Sequence, residues 1–336
     1  MATATLSNGI TPTKLQKHFQ FRQITSIHNF RPVGAQNGIE CKRFLFRSSR
    51  PDLLHADEVE EFMDLGINSI IDLRSHQEFL FVDGNKYLQK KGLYTTCIVD
   101  LPKKRNYRPA EEVSYTVNRD LMRNENGSSA RNHYLINFYE KEYIISIIKR
   151  APWYAKILSV FVFLFDVIFR THFYYLVRLF AYFVLNPAGL AGTYIDILEL
   201  SQTSICAALK LLTKKENLPA LINCAHGKDR TGITSALILL LLGETIENVI
   251  EDYTMSEKEL AAIKPRLHDE IIKRFSFDES FLYAKQGTLK TALKHINDKY
   301  GSVENYLESI GFSRSEQQHL RENLGYRTKF IADTFN

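Results

Sequence analysis

The stretch Leu218-Pro219-Ala220-Leu221-Ile222-Asn223-Cys224-Ala225-His226-Gly227-Lys228-Asp229-Arg230-Thr231-Gly232 decides the reading of this chain. Its first five residues are short and apolar and predict a buried strand. The apolar run from Ile233 to Leu242 is long enough for a helix. Strand, tight loop and helix aim backbone N–H groups and a helix N-terminus at one point, which is a ready cradle for an anion. A cysteine six positions before an arginine, with a glycine between them, adds chemistry to that cradle. The field of the loop favours a thiolate at Cys224, a nucleophile. Arg230 carries a planar fork that can grip two phosphoryl oxygens, which a lysine cannot do. Gly227 lets the backbone bend round the ligand. Thr231 can hydrogen-bond the cysteine sulfur, and Lys228 adds positive charge beside the phosphate or a second anionic group. Asp229 is a carboxylate where an anion is to bind, so it needs a task of its own. Protonating the leaving oxygen is the leading one. His226 reads as a tuner of substrate charge or as a solvent-exposed side chain. A loop that binds phosphate without turning it over uses the same residues and stays open.

The string Cys224-Ala225-His226-Gly227-Lys228-Asp229-Arg230-Thr231-Gly232 resembles the loop of the bacterial-type tyrosine and phosphoinositide phosphatases, written Cys-x-x-Gly-Lys-Asp-Arg-Thr-Gly. Other segments agree with that family in order. Asn29-Phe30-Arg31 and Phe46-Arg47-Ser48 resemble its opening segment. Leu65-Gly66-Ile67, Ile70-Ile71-Asp72-Leu73-Arg74-Ser75 and Glu78 resemble its second signature. Gly189 to Ser201 is similar to the segment before the loop, and Tyr300 to Leu307 to the C-terminal helical signature. The resemblance implies an α/β cysteine-phosphatase fold, with a parallel-rich sheet flanked by helices. It implies hydrolysis of phosphotyrosine or phosphoinositides through a phosphocysteine, in a phosphatase domain over 26–330 behind a loose lead over 1–25. Cys224 is then the nucleophile, Arg230 the clamp and Asp229 the in-loop acid. Ala225, His226, Gly227, Lys228 and Thr231 line the phosphate site. Asp72 matches an aspartate near the loop, as acid or as partner of the arginine. Two positions depart from the pattern. Asn223 stands where many members have His, and Pro32-Val33 follow Asn29-Phe30-Arg31 where an acidic residue and glycines are usual. These departures leave room for a rival reading, an inactive phosphoinositide-binding membrane adaptor.

The remaining sequence bounds these readings. At 336 residues and 45% hydrophobic content the chain can bury a large core and is not disordered. Lys+Arg 43 against Asp+Glu 38 gives +5. This mild excess lacks the dense clusters of a nucleic-acid binder and suits an anionic substrate or leaflet. The cysteines Cys41, Cys97, Cys206 and Cys224 fit neither a zinc site nor a compact disulfide scaffold. No metal and no cofactor is called for, since loop amides and Arg230 supply the positive field. A nucleophilic thiol needs a reducing compartment, and residues 1–20 lack the apolar core of a secretory signal, so the expected location is cytosolic. Along the chain, strands are expected over 40–47, 68–73 and 94–99, a helix over 56–65, a polar loop region over 102–132 and one long helix over 191–212. From 247 onward the pattern is helical, with breaks near Pro265 and Gly301. Asp100, at a strand end, is a minor candidate acid beside a plain turn residue.

Residues 150–187 form an apolar helical insertion. Between 157 and 185 only Ser159, Asp166, Arg170, Thr171, His172 and Arg178 interrupt the apolar residues. Wound as one helix, Lys156, Ser159, Asp166, Arg170 and Arg178 gather on one polar stripe, with Asp166 and Arg170 spaced as an i,i+4 pair. Three readings compete: a helix lying in a membrane interface, a lid packed over the site, and a transmembrane span, which mid-span charges oppose. Lys141, Lys149, Arg150 and Lys156 could meet an anionic leaflet. Trp153, the sole tryptophan, is either an interface anchor or core packing.

Overall fold

Alternate residues along the central strands belong to two different apolar clusters, which is the signature of a sheet buried on both faces. Leu45, Ile71, Ala220 and Ile222 pack into the larger cluster, with most of the helices. Phe46, Ile70 and Leu221 pack into the smaller one, with Ile27, Phe62 and Leu88. The computed structural model describes residues 24–34, 45–82, 84–101, 113–117 and 131–324. Most of the expected lead over 1–25 lies outside them.

Seven strands form one sheet: β1 (Arg31–Pro32), β2 (Leu45–Ser48), β3 (Ser69–Asp72), β4 (Thr95–Asp100), β5 (Ser114–Val117), β6 (Asn132–Leu135) and β7 (Ala220–Asn223). Their spatial order is β1-β2-β7-β3-β6-β4-β5. The five inner strands run parallel, and antiparallel pairs close both edges. The expected parallel-rich α/β sheet is therefore present. In such sheets ligands gather outside the carboxyl ends of the strands. Here the ends of β2, β3, β6 and β7 lead into Ser49, Leu73, Ile136 and Cys224.

Several local expectations change. The helix expected over 191–212 is two helices, Asn186–Leu200 and Gln202–Thr213. They part at Ser201, whose hydroxyl donates to the Phe138 carbonyl in the loop after β6. The polar region over 102–132 supplies β5 and the first residue of β6; Asn126 to Ser129 lie outside the described residues. Asp100 ends β4 and accepts a hydrogen bond from Thr116 at 3.2 Å, the bland role foreseen for it.

The apolar insertion is a hairpin and not one helix. The helix Trp153–Ile168 stops, Arg170, His172 and Phe173 take left-handed backbone angles, and Tyr174–Phe180 returns through a π-helical turn, Ala181–Leu185, into Asn186–Leu200. Arg170 and Arg178 therefore leave the helix on which the polar stripe was drawn. The pair of Asp166 with Arg170 does not form. Asp166 is buried and instead accepts from the Thr171 hydroxyl and from the N–H groups of Tyr175, at 3.3 Å, and Leu176, at 2.8 Å. Trp153 is 73% exposed, which removes core packing as its role.

Candidate active site

Cys224 follows the last residue of β7 and is buried. The loop after it bends through Gly227 at φ +66°. A Cβ there would lie 2.2 Å from the Ser48 carbonyl oxygen, so only glycine fits between the loop and β2. Side chains from outside the loop hold its carbonyls. Asn29 Nδ2 donates to the carbonyls of His226 and Gly227 at 3.2 and 2.9 Å, and Arg47 Nη2 donates to Gly227 at 2.8 Å. With those carbonyls drawn outward, the loop N–H groups are turned the other way. Among the described residues, the N–H groups of Ala225, His226, Gly227 and Lys228 donate to no protein acceptor. They stand beside the first turn of the helix Asp229–Leu241. Four N–H groups without an acceptor beside a helix N-terminus are the donor set that an anion cradle requires.

The braces are themselves braced. Arg47 and Arg31 both bond Asp252 and Ser256, and Arg31 also bonds Asn29. Burial and the neighbouring charge of Arg47 pull Arg31 down to about 9. The segment Asn29-Phe30-Arg31 therefore keeps a task despite Pro32-Val33: it pins the loop.

Arg230 is buried. Its Nη1 donates to Glu78 Oε2 at 3.0 Å and to the Leu73 carbonyl at 2.9 Å, and its Nη2 to Glu78 Oε1 at 2.9 Å. The guanidinium lies 4.8 Å from the Tyr139 ring centroid. Burial opposes its charge, but Glu78, Tyr139 and Cys224 together hold it cationic well beyond an ordinary arginine. Burial pushes the Tyr139 hydroxyl up to about 12. Glu78 is placed by a capping box at the start of the helix His76–Phe81. Its N–H donates to the Ser75 hydroxyl and its carboxylate accepts from the Ser75 N–H.

Asp72 does not partner Arg230. It is fully buried at the end of β3, where it binds Arg74 at 2.5 Å and His133 at 3.1 Å, and Arg74 also binds Asp52. Burial alone would raise its carboxyl, but Arg74 and His133 outweigh that and hold it well below the usual carboxylate range. Closed off from solvent and held by Arg74 and His133, Asp72 is placed as a structural anion of the frame.

Asp229, the in-loop candidate, is partly exposed and accepts a hydrogen bond from the Tyr194 hydroxyl at 2.7 Å. Tyr194 is also joined to Tyr253. Lys228 is turned away from the role expected of it. It is buried, its ammonium donates to the carbonyls of Phe281 and Tyr283, and it lies 3.4 Å from Asp229. His226 is not solvent-exposed. Burial lowers its basicity against the pull of Glu270, 2.7 Å away, and Glu270 also takes a two-pronged bond from Arg50. Thr231 Oγ1 is buried and bonds neither the cysteine sulfur nor any other described group. Cys224 thus stands at the strand end and Asp229 and Arg230 in the first turn of the helix that follows, while His226 and Lys228 tie the loop to Glu270 and to the Phe281 and Tyr283 carbonyls. Glu78, Tyr139 and Tyr194 were not assigned roles from sequence. Glu78 stood in the segment that resembles the family's second signature and in a Ser75-x-x-Glu78 spacing that speaks of a helix start, but neither signal pointed to an arginine.

A family model described as the tyrosine phosphatase family matches residues 22–162 and 186–326. A tyrosine-protein phosphatase of Nostoc commune is 28% identical over 148 residues, 41% of this chain and 50% of that protein. The triple specificity protein phosphatase PtpB of Mycobacterium tuberculosis (strain ATCC 25618 / H37Rv) is 27% identical over 117 residues, 31% of this chain and 42% of that protein. The chain therefore spans about half the length of the curated relatives it matches.

Proposed function

The chain belongs to the tyrosine phosphatase family, and from that premise we propose that it hydrolyses phosphomonoesters through a phosphocysteine at Cys224. The observation that carries this reading is the loop itself: a buried cysteine, four N–H groups without protein acceptors and a buried arginine at one strand end. A guanidinium has five N–H donors. Three of Arg230's are engaged by Glu78 and Leu73. The Nε–H and one Nη2–H remain as a fork for two phosphoryl oxygens. The Cys224 sulfur attacks phosphorus, the P–O bond to the leaving group breaks, and Asp229 gives that oxygen its proton. Water then attacks the phosphocysteine, Asp229 takes a proton from it, and inorganic phosphate leaves with the thiolate restored. The loop N–H groups and Arg230 stabilise charge on the equatorial oxygens throughout.

The substrate class is phosphotyrosine protein, phosphoinositide or both. The exposed apolar hairpin supports a breadth that includes lipids. With lipid substrates the enzyme works peripherally at an anionic membrane. Cys224→Ser tests the reading with a generic aryl phosphate, beside phosphopeptide and phosphoinositide panels. Turnover is expected to fall by on the order of 10⁴–10⁶-fold, as when a nucleophile is removed elsewhere, while vanadate or phosphate still binds. A wild-type chain that binds phosphoinositide but releases no phosphate would make it an adaptor. A serine variant as active as wild type would end the role of Cys224.

A further inference from the structure

A helix on the surface of a soluble protein normally turns its apolar stripe inward. Trp153–Ile168 does the reverse. Its inward positions are Ala155, Ser159, Val162 and Asp166, one face at helical spacing. Its other twelve residues are exposed, and all but Lys156 of them are apolar or aromatic. Phe161, Leu164 and Ile168 share one outward face and are 65%, 49% and 71% exposed. Phe169, Phe173, Tyr175 and Tyr182 extend this surface along the turn and the returning arm. A contiguous greasy surface of this kind marks a binding face.

Charge identifies the occupant. The one acid between 153 and 185 is Asp166, and it is buried. The exposed charges on and beside the helix include Lys149, Lys156 and Arg170. An isologous contact with a second copy would set these cations against themselves. An anionic leaflet meets both the apolar face and the cations.

The backbone also suits lipid, where unpaired donors are costly. At the turn, the N–H groups of Phe169, Arg170, Thr171, Tyr174 and Val177 donate to carbonyls within the hairpin, and among the described residues only those of His172 and Phe173 there lack an acceptor. Those of Tyr175 and Leu176 donate to Asp166. A span does not fit. Trp153–Ile168 is about 24 Å long, shorter than the ~30 Å hydrocarbon core. The continuous run Tyr174–Leu200 is long and apolar enough to cross a membrane. Its second half, however, buries Leu190, Tyr194, Ile197 and Leu198 in the protein core. The tip rests on the body through His172, whose ring lies 4.3 Å from that of Phe81. Phe81 ends the helix that carries Glu78. The second arm is tied down by Arg178, which donates to the Lys273 carbonyl at 2.8 Å. The hairpin lies across the molecule and does not project from it. Residues 163–185 fall in the gap of the family match, so the second half of the hairpin lies outside the shared fold, while residues 153–162 lie within it.

We propose that the outward face of the Trp153–Leu185 hairpin lies flat in the interface of a membrane leaflet containing anionic lipid, with Lys149, Lys156 and Arg170 at the headgroups. The inference concerns binding and does not depend on turnover. The test uses the full chain and vesicles of phosphatidylcholine, with and without phosphatidylserine. Wild type is expected to sediment with both and more strongly when phosphatidylserine is present. Trp153, the only tryptophan, should shift its emission to the blue on binding. Phe161→Ser with Leu164→Ser and Ile168→Ser should weaken binding at least tenfold, with aryl-phosphate hydrolysis unchanged. Lys149→Gln with Lys156→Gln should remove the preference for phosphatidylserine. Failure of wild type to sediment, with no shift of the tryptophan, would overturn the proposal without recourse to any variant. So would undiminished binding by the triple variant. Wild-type dimers that the triple variant dissolves, without vesicle binding, would assign the face to a second copy.

Discussion

The phosphate loop and the hairpin are built on opposite rules. Around the loop, polar and charged groups are inside: Arg47, Arg74, Asp52, Asp72 and Lys228 are all almost completely buried and bonded. In the hairpin, apolar groups are outside, and Asp166 is the buried charge. Burying charge is tolerated only when each group is paired and hydrogen-bonded, and the result is a rigid frame. Exposing apolar surface is tolerated where another phase or partner covers it. The difference separates a part organised for fixed geometry from a part organised for contact. Substitutions that probe it should act on stability, on chemistry and on local order in turn.

The largest effect is expected at Asp72. Asp72→Asn leaves Arg74 and His133 with a weakened partner in a fully buried site, and breaking such a cluster costs about 3–5 kcal/mol. Chemical denaturation of wild type and variant measures it. The cluster also sets a pH dependence. The carboxyl is held below its unfolded value, so the folded state binds fewer protons there than the unfolded chain. Its contribution is complete above the unfolded value of about 4 and is lost as pH falls below it. The wild-type stability curve should therefore bend down on the acid side of about pH 4, and the variant's should bend less. A variant of unchanged stability but lost turnover would return Asp72 to a chemical role and weaken the contrast.

Glu78→Gln should act on chemistry more than on folding. The amide keeps the shape of the carboxylate but loses its charge and its two-pronged grip on Arg230, while the Leu73 carbonyl and the Tyr139 ring remain. Misplacing a catalytic group by a small distance costs on the order of 10²-fold. We expect a loss of that size in kcat/KM for an aryl phosphate, with a small change in denaturation midpoint. Equal activity would mean that the carbonyl and the ring suffice to aim the guanidinium.

What the sequence disclosed follows the same division. The loop was legible because a phosphate cradle needs consecutive residues, so Cys224, Gly227 and Arg230 carry their meaning in their spacing. β3 and β7 were legible because an apolar run beside a loop signal has few other readings. The partners of the loop were not. Lys228 reads as a substrate contact until the Phe281 and Tyr283 carbonyls, some fifty residues onward, take its ammonium. Ser201 splits a helix because its hydroxyl meets Phe138, a contact made only in the folded chain. The hairpin turn uses Arg170, His172 and Phe173 at left-handed angles that favour glycine, so no turn residue announced it. The polar stripe was visible, but a wheel cannot say which face looks inward.

The smallest effect is expected at Asp166, and it is the sharpest test of the contrast because this residue follows the loop's rule inside the hairpin. Its carboxylate does what an N-cap side chain does, but from across the turn: it accepts from Tyr175 and Leu176 at the start of the returning helix and from the Thr171 hydroxyl. Asp166→Ala removes all three bonds and should cost about 1–2 kcal/mol. If the hairpin is an appendage to a rigid frame, that loss stays local. Amide exchange at Tyr175 and Leu176 should quicken about tenfold, the equivalent of about 1.4 kcal/mol, while exchange in β3 and β7 is unchanged and aryl-phosphate turnover is kept. Vesicle binding should weaken too, because freed N–H groups resist leaving water. If exchange in the central strands quickened by the same factor, the hairpin and the phosphate frame would be one cooperative unit, and the two rules would describe two faces of a single structure.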